Sequence, residues 1–423
     1  MPRRLSWKRV ILIAVTVLFL HVFIYIPWKN YQATIHVGSH SGSSSHPDEP
    51  VGRGESASQQ LYAIMTESAA KDELAHQAHA EGEGERPAPE QHSEDQEQAE
   101  AQPRLDNAAF VILARNKDLD DLRTTLIQLE LAFNSRYHYP YVFLNDMPFT
   151  DQFIEGVQEV ISGKAEFGLI PKEHWSYPDW IDQDKARQRR EEMQRQNVFY
   201  AMSESYRHMC RFNSGFFYLH PLLDPYEWYW RVEPSVQFPC HIDYDPFRYL
   251  RDHNKLYSFT ISIQEYPNTI PSLWNTSLSF IKERPDLIPK ENMWQFVETT
   301  NPTTGLPEYN NCHFWSNFEI ANLNFWRSGE YRAYFEYLDR AGGFFYERWG
   351  DAPVHSLAIA MFLRSDQVHW FEDMGYFHNP LWNCPQDAEV HKRLGCYCDP
   401  KQSVQVKHAW WSCTQKFNAL AGQ

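Results

Sequence analysis

Apolar and polar positions divide the chain into three stretches of different texture. Val10 to Ile26 is an apolar run of 17 residues interrupted only by Thr16 and His21. As a helix it would rise about 26 Å, at the short end of what spans a bilayer. Residues 28–103 show little apolar periodicity; the Ser-rich tract from Ser39 to His46 and the acidic tract from Glu81 to Glu90 are typical of it. Such a stretch cannot bury enough surface to offset chain entropy, so it reads as a flexible stem, with a helical patch near 57–80.

From Asn107 onward the pattern is that of a folded domain. Asn107 to Arg115 is a continuous apolar run ending in polar residues, the mark of a strand covered on both faces. Leu122, Leu126, Leu129 and Phe133 recur at helical spacing after Asp118, a candidate cap, so 118–134 is expected to be a helix. Tyr139 to Asn145 is a second buried strand. Strand, helix, strand in so short a span opens a βαβ unit, and ligands of such sheets lie beyond the carboxyl ends of the strands. Further on, the composition predicts helix over 180–212, a strand at 228–234, a helix at 247–253 and strands at 256–263 and 312–317. The last of these reaches Phe318-Glu319-Ile320. Helices near 329–341 and 354–364 and a strand at 368–371 complete the expectation of an α/β fold.

Charge and composition narrow the picture. The formal net charge is −16, which excludes nucleic-acid binding by phosphate attraction. Residues 29–103 contribute 14 Asp/Glu against 4 Lys/Arg. Arg3, Arg4, Lys8 and Arg9 precede the apolar run and an acidic segment follows it, which orients the N-terminus to the cytosol. The run exits through Ile26-Pro27-Trp28-Lys29, without a small-residue cleavage site, so it reads as an uncleaved anchor. A short span suits the thinner early secretory membranes. The expected organisation is a cytosolic tail over 1–9, a transmembrane signal anchor over 10–27, an acidic stem over 28–103 and a lumenal catalytic domain over 104–423. A lumenal domain can form disulfides; seven cysteines leave one unpaired, and the pairing is open at this stage. Cys396-Tyr-Cys398 with Cys413 lacks a fourth zinc ligand at a usual spacing. Asn275-Thr276-Ser277 is a glycosylation sequon. Aromatics make up 15% of the chain, and most of them fill a core, although sugar rings also stack on aromatic faces.

Three carboxylates stand out. Glu233 ends an aromatic strand that Pro234 prevents from continuing, a placement suited to a divalent metal. Glu319 is a lone carboxylate among apolar and amide neighbours, costly unless hydrogen-bonded or facing a cleft. Asp351 lies between Gly350 and Ala352-Pro353. His378 sits in a turn bounded by Gly375 and Pro380, and Arg115 and Asn116 end the first strand. No glycine-rich phosphate loop accompanies them, which argues against a dinucleotide or P-loop site.

Four segments together are more specific than any of these alone: Arg207 to Phe217 (RHMCRFNSGFF), Trp230 to Pro234 (WRVEP), Cys312 to Ile320 (CHFWSNFEI) and Gly342 to His355 (GGFFYERWGDAPVH). In that order they resemble the fungal Golgi α-1,2-mannosyltransferase family, glycosyltransferase family fifteen, over about residues 104–400. The resemblance implies a GT-A-like fold with a central mixed, mostly parallel sheet, a GDP-mannose donor, Mn²⁺, and retention of anomeric configuration in protein glycosylation and mannan synthesis. It further implies Glu233 and His378 as metal ligands, with Ser235 uncharged where some members carry Asp. Glu319 matches the family's nucleophile carboxylate, Asp351 an acid near the acceptor, and Tyr206 a tyrosine near the transferred sugar. Arg115, Asn116, Tyr206 and Arg231 are expected to bind the nucleotide sugar. Expected partners are the donor, a mannosylated glycoprotein or oligosaccharide acceptor, the Golgi membrane and other mannosyltransferases.

Rival readings predict different behaviour. A membrane-tethered mannan-binding subunit, or an inactive family member, would not turn over GDP-mannose. A glycoside hydrolase using Glu319 and Asp351 as its carboxylate pair would work without metal.

Overall fold

The computed structural model describes residues 105–422. The expected tail, anchor and stem lie outside these residues; among the described residues, no helix is long and apolar enough to cross a membrane. In chain order the elements are β1 (Ala108–Leu113), α1 (Leu119–Ala132), β2 (Tyr141–Asn145), α2 (Asp151–Gln158), β3 (Ala165–Leu169), α3 (Gln183–Arg195), α4 (Glu204–Gly215), β4 (Trp228–Val232) and α5 (Pro246–Asp252). Then come β5 (Tyr257–Phe259), β6 (Ser262–Gln264), α6 (Leu273–Glu283), β7 (Glu298–Thr300), β8 (Pro307–Tyr309), β9 (Cys312–Phe314) and β10 (Glu319–Asn322). The C-terminal part holds α7 (Leu323–Arg327), α8 (Gly329–Ala341), α9 (Gly343–Tyr346), α10 (Asp351–Phe362), β11 (Val368–Trp370), β12 (Tyr376–His378), β13 (Leu381–Asn383), α11 (Ala388–Arg393), α12 (Val404–Lys407) and α13 (Thr414–Ala421).

Seven strands form the central sheet in the order β11-β5-β10-β4-β1-β2-β3. All run one way except β10, which is antiparallel to both its neighbours, β4 and β5. The mixed, mostly parallel sheet expected from sequence is therefore present. Both faces are covered. Phe110, Ile112, Trp228 and Trp230 pack into one core, while Ala109, Val111, Tyr229 and Ala321 pack into the other. Two-sided burial explains why β1 and β2 read as unbroken apolar runs.

Several expectations needed correction. The helix over 180–212 is two helices, α3 and α4, separated by residues 196–203, where Asn197 and Tyr200 adopt positive φ. The strands expected at 256–263 and 312–317 are each broken. β6 and β9 pair with one another in a separate ribbon, and only β5 and β10 enter the central sheet. Asp118 precedes α1, but its carboxylate accepts from the backbone and guanidinium of Arg115 and makes no cap contact with α1. α10 begins at Asp351, earlier than expected. Three disulfides join Cys240 to Cys396, Cys312 to Cys413 and Cys384 to Cys398, leaving Cys210 free and buried. All three of the Cys396, Cys398 and Cys413 sulfurs are thus used up in disulfides.

Candidate active site

The pleat of β4 sets the site. Trp228, Trp230 and Val232 face one core, so Tyr229, Arg231 and the residue after the strand, Glu233, project to the other side. β10 runs back alongside, with Glu319 in register with Arg231. Because β10 is antiparallel, its first residue arrives at the carboxyl end of β4. Two acids and an arginine thereby share one rim of the sheet.

Helix α10 supplies the matching half. Asp351 and His355 are four residues apart, one above the other on a helix face. Arg231 donates to Asp351 Oδ2 at 2.5 Å and to Glu233 Oε1 at 2.5 Å. Ser316 Oγ donates to the same Asp351 oxygen at 2.9 Å. Below them, Tyr229 donates its phenol to Glu319 Oε2 at 2.5 Å, and His355 Nδ1 lies 2.8 Å from Glu319 Oε1. A helical i, i+4 pair thus meets a cross-strand pair, each acid or base with an opposite partner.

Hydrogen-bond accounting fixes a proton here. His355 Nε2 lies 3.0 Å from the carbonyl oxygen of Asn213, which can only accept, so this nitrogen carries a hydrogen. The other ring nitrogen faces a carboxyl oxygen. Two lone pairs cannot face each other at that distance, so a proton lies between His355 and Glu319 whichever atom formally holds it. The pair is net neutral inside a region where both side chains are only 1% exposed.

The metal-binding residues expected from sequence lie at the more open end. A backbone bridge between Gln237 and Phe377 ties the segment after Glu233 to the β12–β13 hairpin. That tie places His378 Nε2 3.5 Å from Glu233 Oε2, with the imidazole edge-on to Trp315. Their side chains are 29% and 27% exposed, unlike Glu319. Burial would raise the Glu233 carboxyl, but Arg231 and His378 outweigh it and hold it at about 2. An ionised carboxylate oxygen and an imidazole nitrogen so close, both reachable from solvent, are a fitting donor set for a divalent ion that keeps its other positions for ligand oxygens. Ser235, exposed and at positive φ, adds no charge.

Other shifts follow the same charges. Burial pushes the Asp351 carboxyl up; Arg231 and His355 more than offset it and leave it below the usual carboxylate value. Burial disfavours the Arg231 cation, yet Asp351, Glu233 and Glu319 together raise its pKa well above normal. Tyr229 is raised well above the usual phenol value by burial and then by Glu319, so it stays a proton donor.

The structure therefore brings Glu233, His378, Arg231, Asp351 and Glu319 into one cluster. A cavity of about 20 Å³, room for roughly one water, is lined by Asn213, Arg231, Glu233, Glu319 and His355. Tyr206 joins from the side: its hydroxyl accepts from Arg348 at 2.8 Å, and Arg348 also faces Glu265 at 3.5 Å. Arg115 is bonded to Asp118 within its own loop, and Asn116 ties that loop to the segment between β2 and α2 through Pro148 and Thr150. Of β1 and the loop that follows it, Val111 and Leu113 line the cavity, and Arg115 and Asn116 do not. Sequence reasoning missed Tyr229, Asn213, Ser316 and His355. The Asp351-to-His355 spacing was the available signal for the last.

Comparison with known proteins agrees with this architecture. Residues 58–422 match the family model described as glycolipid 2-alpha-mannosyltransferase. The chain is 53% identical over 313 residues to glycolipid 2-alpha-mannosyltransferase 1 of Candida albicans, covering 74% of this chain and 71% of that one. It is 52% identical to the O-glycoside alpha-1,2-mannosyltransferase omh1 of Schizosaccharomyces pombe, over 74% of this chain and 78% of the relative. Among solved structures, core-mannan synthase A of Aspergillus fumigatus in its Mn/GDP form is 42% identical with a TM-score of 0.70, covering 76% of this chain and 86% of that one. The mannosyltransferase Ktr4p of S. cerevisiae in complex with GDP is 39% identical with a TM-score of 0.71, over 75% and 82%. On a match that takes in every residue of the Glu233–Glu319 cluster, the chain belongs to the glycolipid 2-alpha-mannosyltransferase family.

Proposed function

We propose that this protein transfers mannose from GDP-mannose to the 2-hydroxyl of an α-mannose on protein-linked glycans, with retention of configuration. The observation that carries the proposal is the shared cavity: Glu233, beside His378, and the deeply buried Glu319 line one pocket at the carboxyl end of the sheet. Glu233 and His378 would hold Mn²⁺, which when bound supplies positive charge to stabilise the departing diphosphate.

The protein's own residues do the rest. Arg231 is fixed between Glu233 and Asp351, so both carboxylates are oriented before any ligand arrives. Tyr229 and His355 orient Glu319 and stabilise its charge, deep in the pocket where its side chain is 1% exposed. Glu319 acts on the positive character that develops at the anomeric carbon, either through its charge or through a transient ester. Asp351 and Tyr206 flank the acceptor end, and Arg115 and Asn116 the nucleotide end. Residues 10–27 would anchor the chain in the Golgi membrane, with residues 104–423 in the lumen acting on O-linked or N-linked chains, alone or in complex with other mannosyltransferases.

The test is direct. Purified protein with GDP-mannose, Mn²⁺ and α-methyl mannoside should yield an α-1,2-linked disaccharide by NMR, and Glu319→Gln should lose that turnover. Unchanged turnover in Glu319→Gln would remove the residue from the chemistry.

A further inference from the structure

A line of aromatic rings leads outward from Tyr206. Its ring stacks on Tyr200 with centroids 4.6 Å apart and planes 2° from parallel. The adjacent Phe199 lies 6.0 Å from Tyr266, which lies 6.0 Å from Trp411, which lies 6.3 Å from Trp410. Four of these rings are open to solvent, while Tyr206 and Trp411 are half-buried: Phe199 is 68% exposed, Tyr200 64%, Tyr266 48% and Trp410 78%. Large apolar side chains left in water so close together mark a binding surface.

The strip is built from three separate parts of the chain, and each is held in place. Residues 199 and 200 come from the loop between α3 and α4, where Tyr200 adopts a φ of 59°, a left-handed conformation that a bulky residue rarely takes. Tyr266 follows β6. The Trp410–Trp411 pair is pinned to β6 by backbone bonds from Gln264 to Trp411 and from Cys413 to Ser262. The disulfide between Cys413 and Cys312 locks the same segment to β9. Fixed rings can bind without ordering loops first.

The inner end is continuous with the candidate active site. Arg348 bonds Tyr206 and faces Glu265, the residue before Tyr266, and Glu265 lies beside Gly350, which precedes Asp351. Tyr206 and Asp351 are the residues placed at the acceptor end above. We propose that Phe199, Tyr266, Trp411 and Trp410 form an outer acceptor site, on which the mannose units behind the reacting one stack. The ligand class is an α-mannoside chain of at least three units; the C–H faces of its rings meet the aromatic faces, and its hydroxyls stay in water. This inference rests on the function proposed above and adds a preference for long acceptors over single sugars.

The test compares acceptors in the full-length chain in detergent. With Trp410→Ala or Phe199→Ala, KM for α-mannotriose should rise about 2- to 12-fold per ring removed, the range expected for loss of an aromatic contact. KM for α-methyl mannoside and for GDP-mannose should stay as in the unaltered protein. An equal rise for both acceptors, or no rise for mannotriose, overturns the outer site. A second measurement does not depend on transfer: titration with mannotriose should change tryptophan fluorescence in the unaltered protein, with a smaller change and a midpoint about 2- to 12-fold higher in the Trp410→Ala variant. Absence of any mannosyl transfer would refute the function proposed above, while the fluorescence titration would still decide the strip. A Trp410→Ala variant that changes self-association or vesicle binding but leaves both mannotriose readouts intact would assign the strip to that other contact.

Discussion

Replacing His355 with leucine removes one of two donors to Glu319 and strips the Asn213 carbonyl of its partner, at a place where both ionisable side chains are 1% exposed. Removing one half of a buried charged pair costs about 3–5 kcal/mol, because the remaining charge is left uncompensated. At roughly 2–4 °C of Tm per kcal/mol, the scale for domains somewhat smaller than this one, the single variant should melt about 6–20 °C lower. Glu319→Leu should cost a similar amount, since it leaves the proton of the pair on His355 alone. The double variant removes both, leaving only the Asn213 carbonyl and the Tyr229 hydroxyl without partners. It should therefore lose less than the two singles summed, with a coupling of about 1–3 kcal/mol. Scanning calorimetry at one scan rate ranks the variants by Tm, and reversible denaturant unfolding with the disulfides intact measures the coupling. Additivity of the two singles within about 0.5 kcal/mol would refute the shared proton. So would a His355→Leu variant that melts with the unaltered protein.

Three further outcomes follow from the same geometry. Chelation should abolish transfer and added Mn²⁺ restore it, with Glu233→Gln and His378→Ala each requiring more Mn²⁺ for half-maximal activity; metal-independent variants would break the assignment. Asp351 is held below its ordinary value, so its contribution to stability is complete above the unfolded value of 3.8 and is lost as pH falls through the folded value. The stability gap between the unaltered protein and Asp351→Asn should accordingly be widest near neutrality and shrink in acid, and an unchanging gap in pH-dependent unfolding would contradict the Arg231 pairing. Breaking the Cys312–Cys413 bridge with Ser at both positions opens a closure of 101 residues and should lower stability by about 2–5 kcal/mol, read as a fall in Tm.

Part of this site was legible in the sequence and part was not. Glu233 stood out because Pro234 stops an aromatic strand just after it, and Glu319 because a single carboxylate among apolar residues demands a reason. The role of His355 was hidden. Every residue of α10 is buried, so no polar face marks which side meets the sheet. The break between β9 and β10 was missed for a related reason: both strands are buried, and the turn at Trp315–Asn317 is apolar and amide-bearing rather than glycine- or proline-rich. Disulfide pairing depends on which distant segments meet, and Cys240 with Cys396 are 156 residues apart. The half-buried helix α8 was predictable to its ends, since its Ser328 cap and Gly342 stop are local signals.

The lone reversed strand has a consequence for how this enzyme can change. In β1, β2 and β4 the chain reaches the ligand rim and then leaves it, so the segments downstream of those strands shape the pocket. In β10 the order is inverted: the chain visits the rim first, and Trp315 and Ser316, just upstream, supply the ring against His378 and the hydroxyl on Asp351. An insertion after Asn322 would lengthen the floor of the molecule and leave the pocket as it is. A single residue added between Phe314 and Glu319 would rearrange the metal end and the acceptor end together.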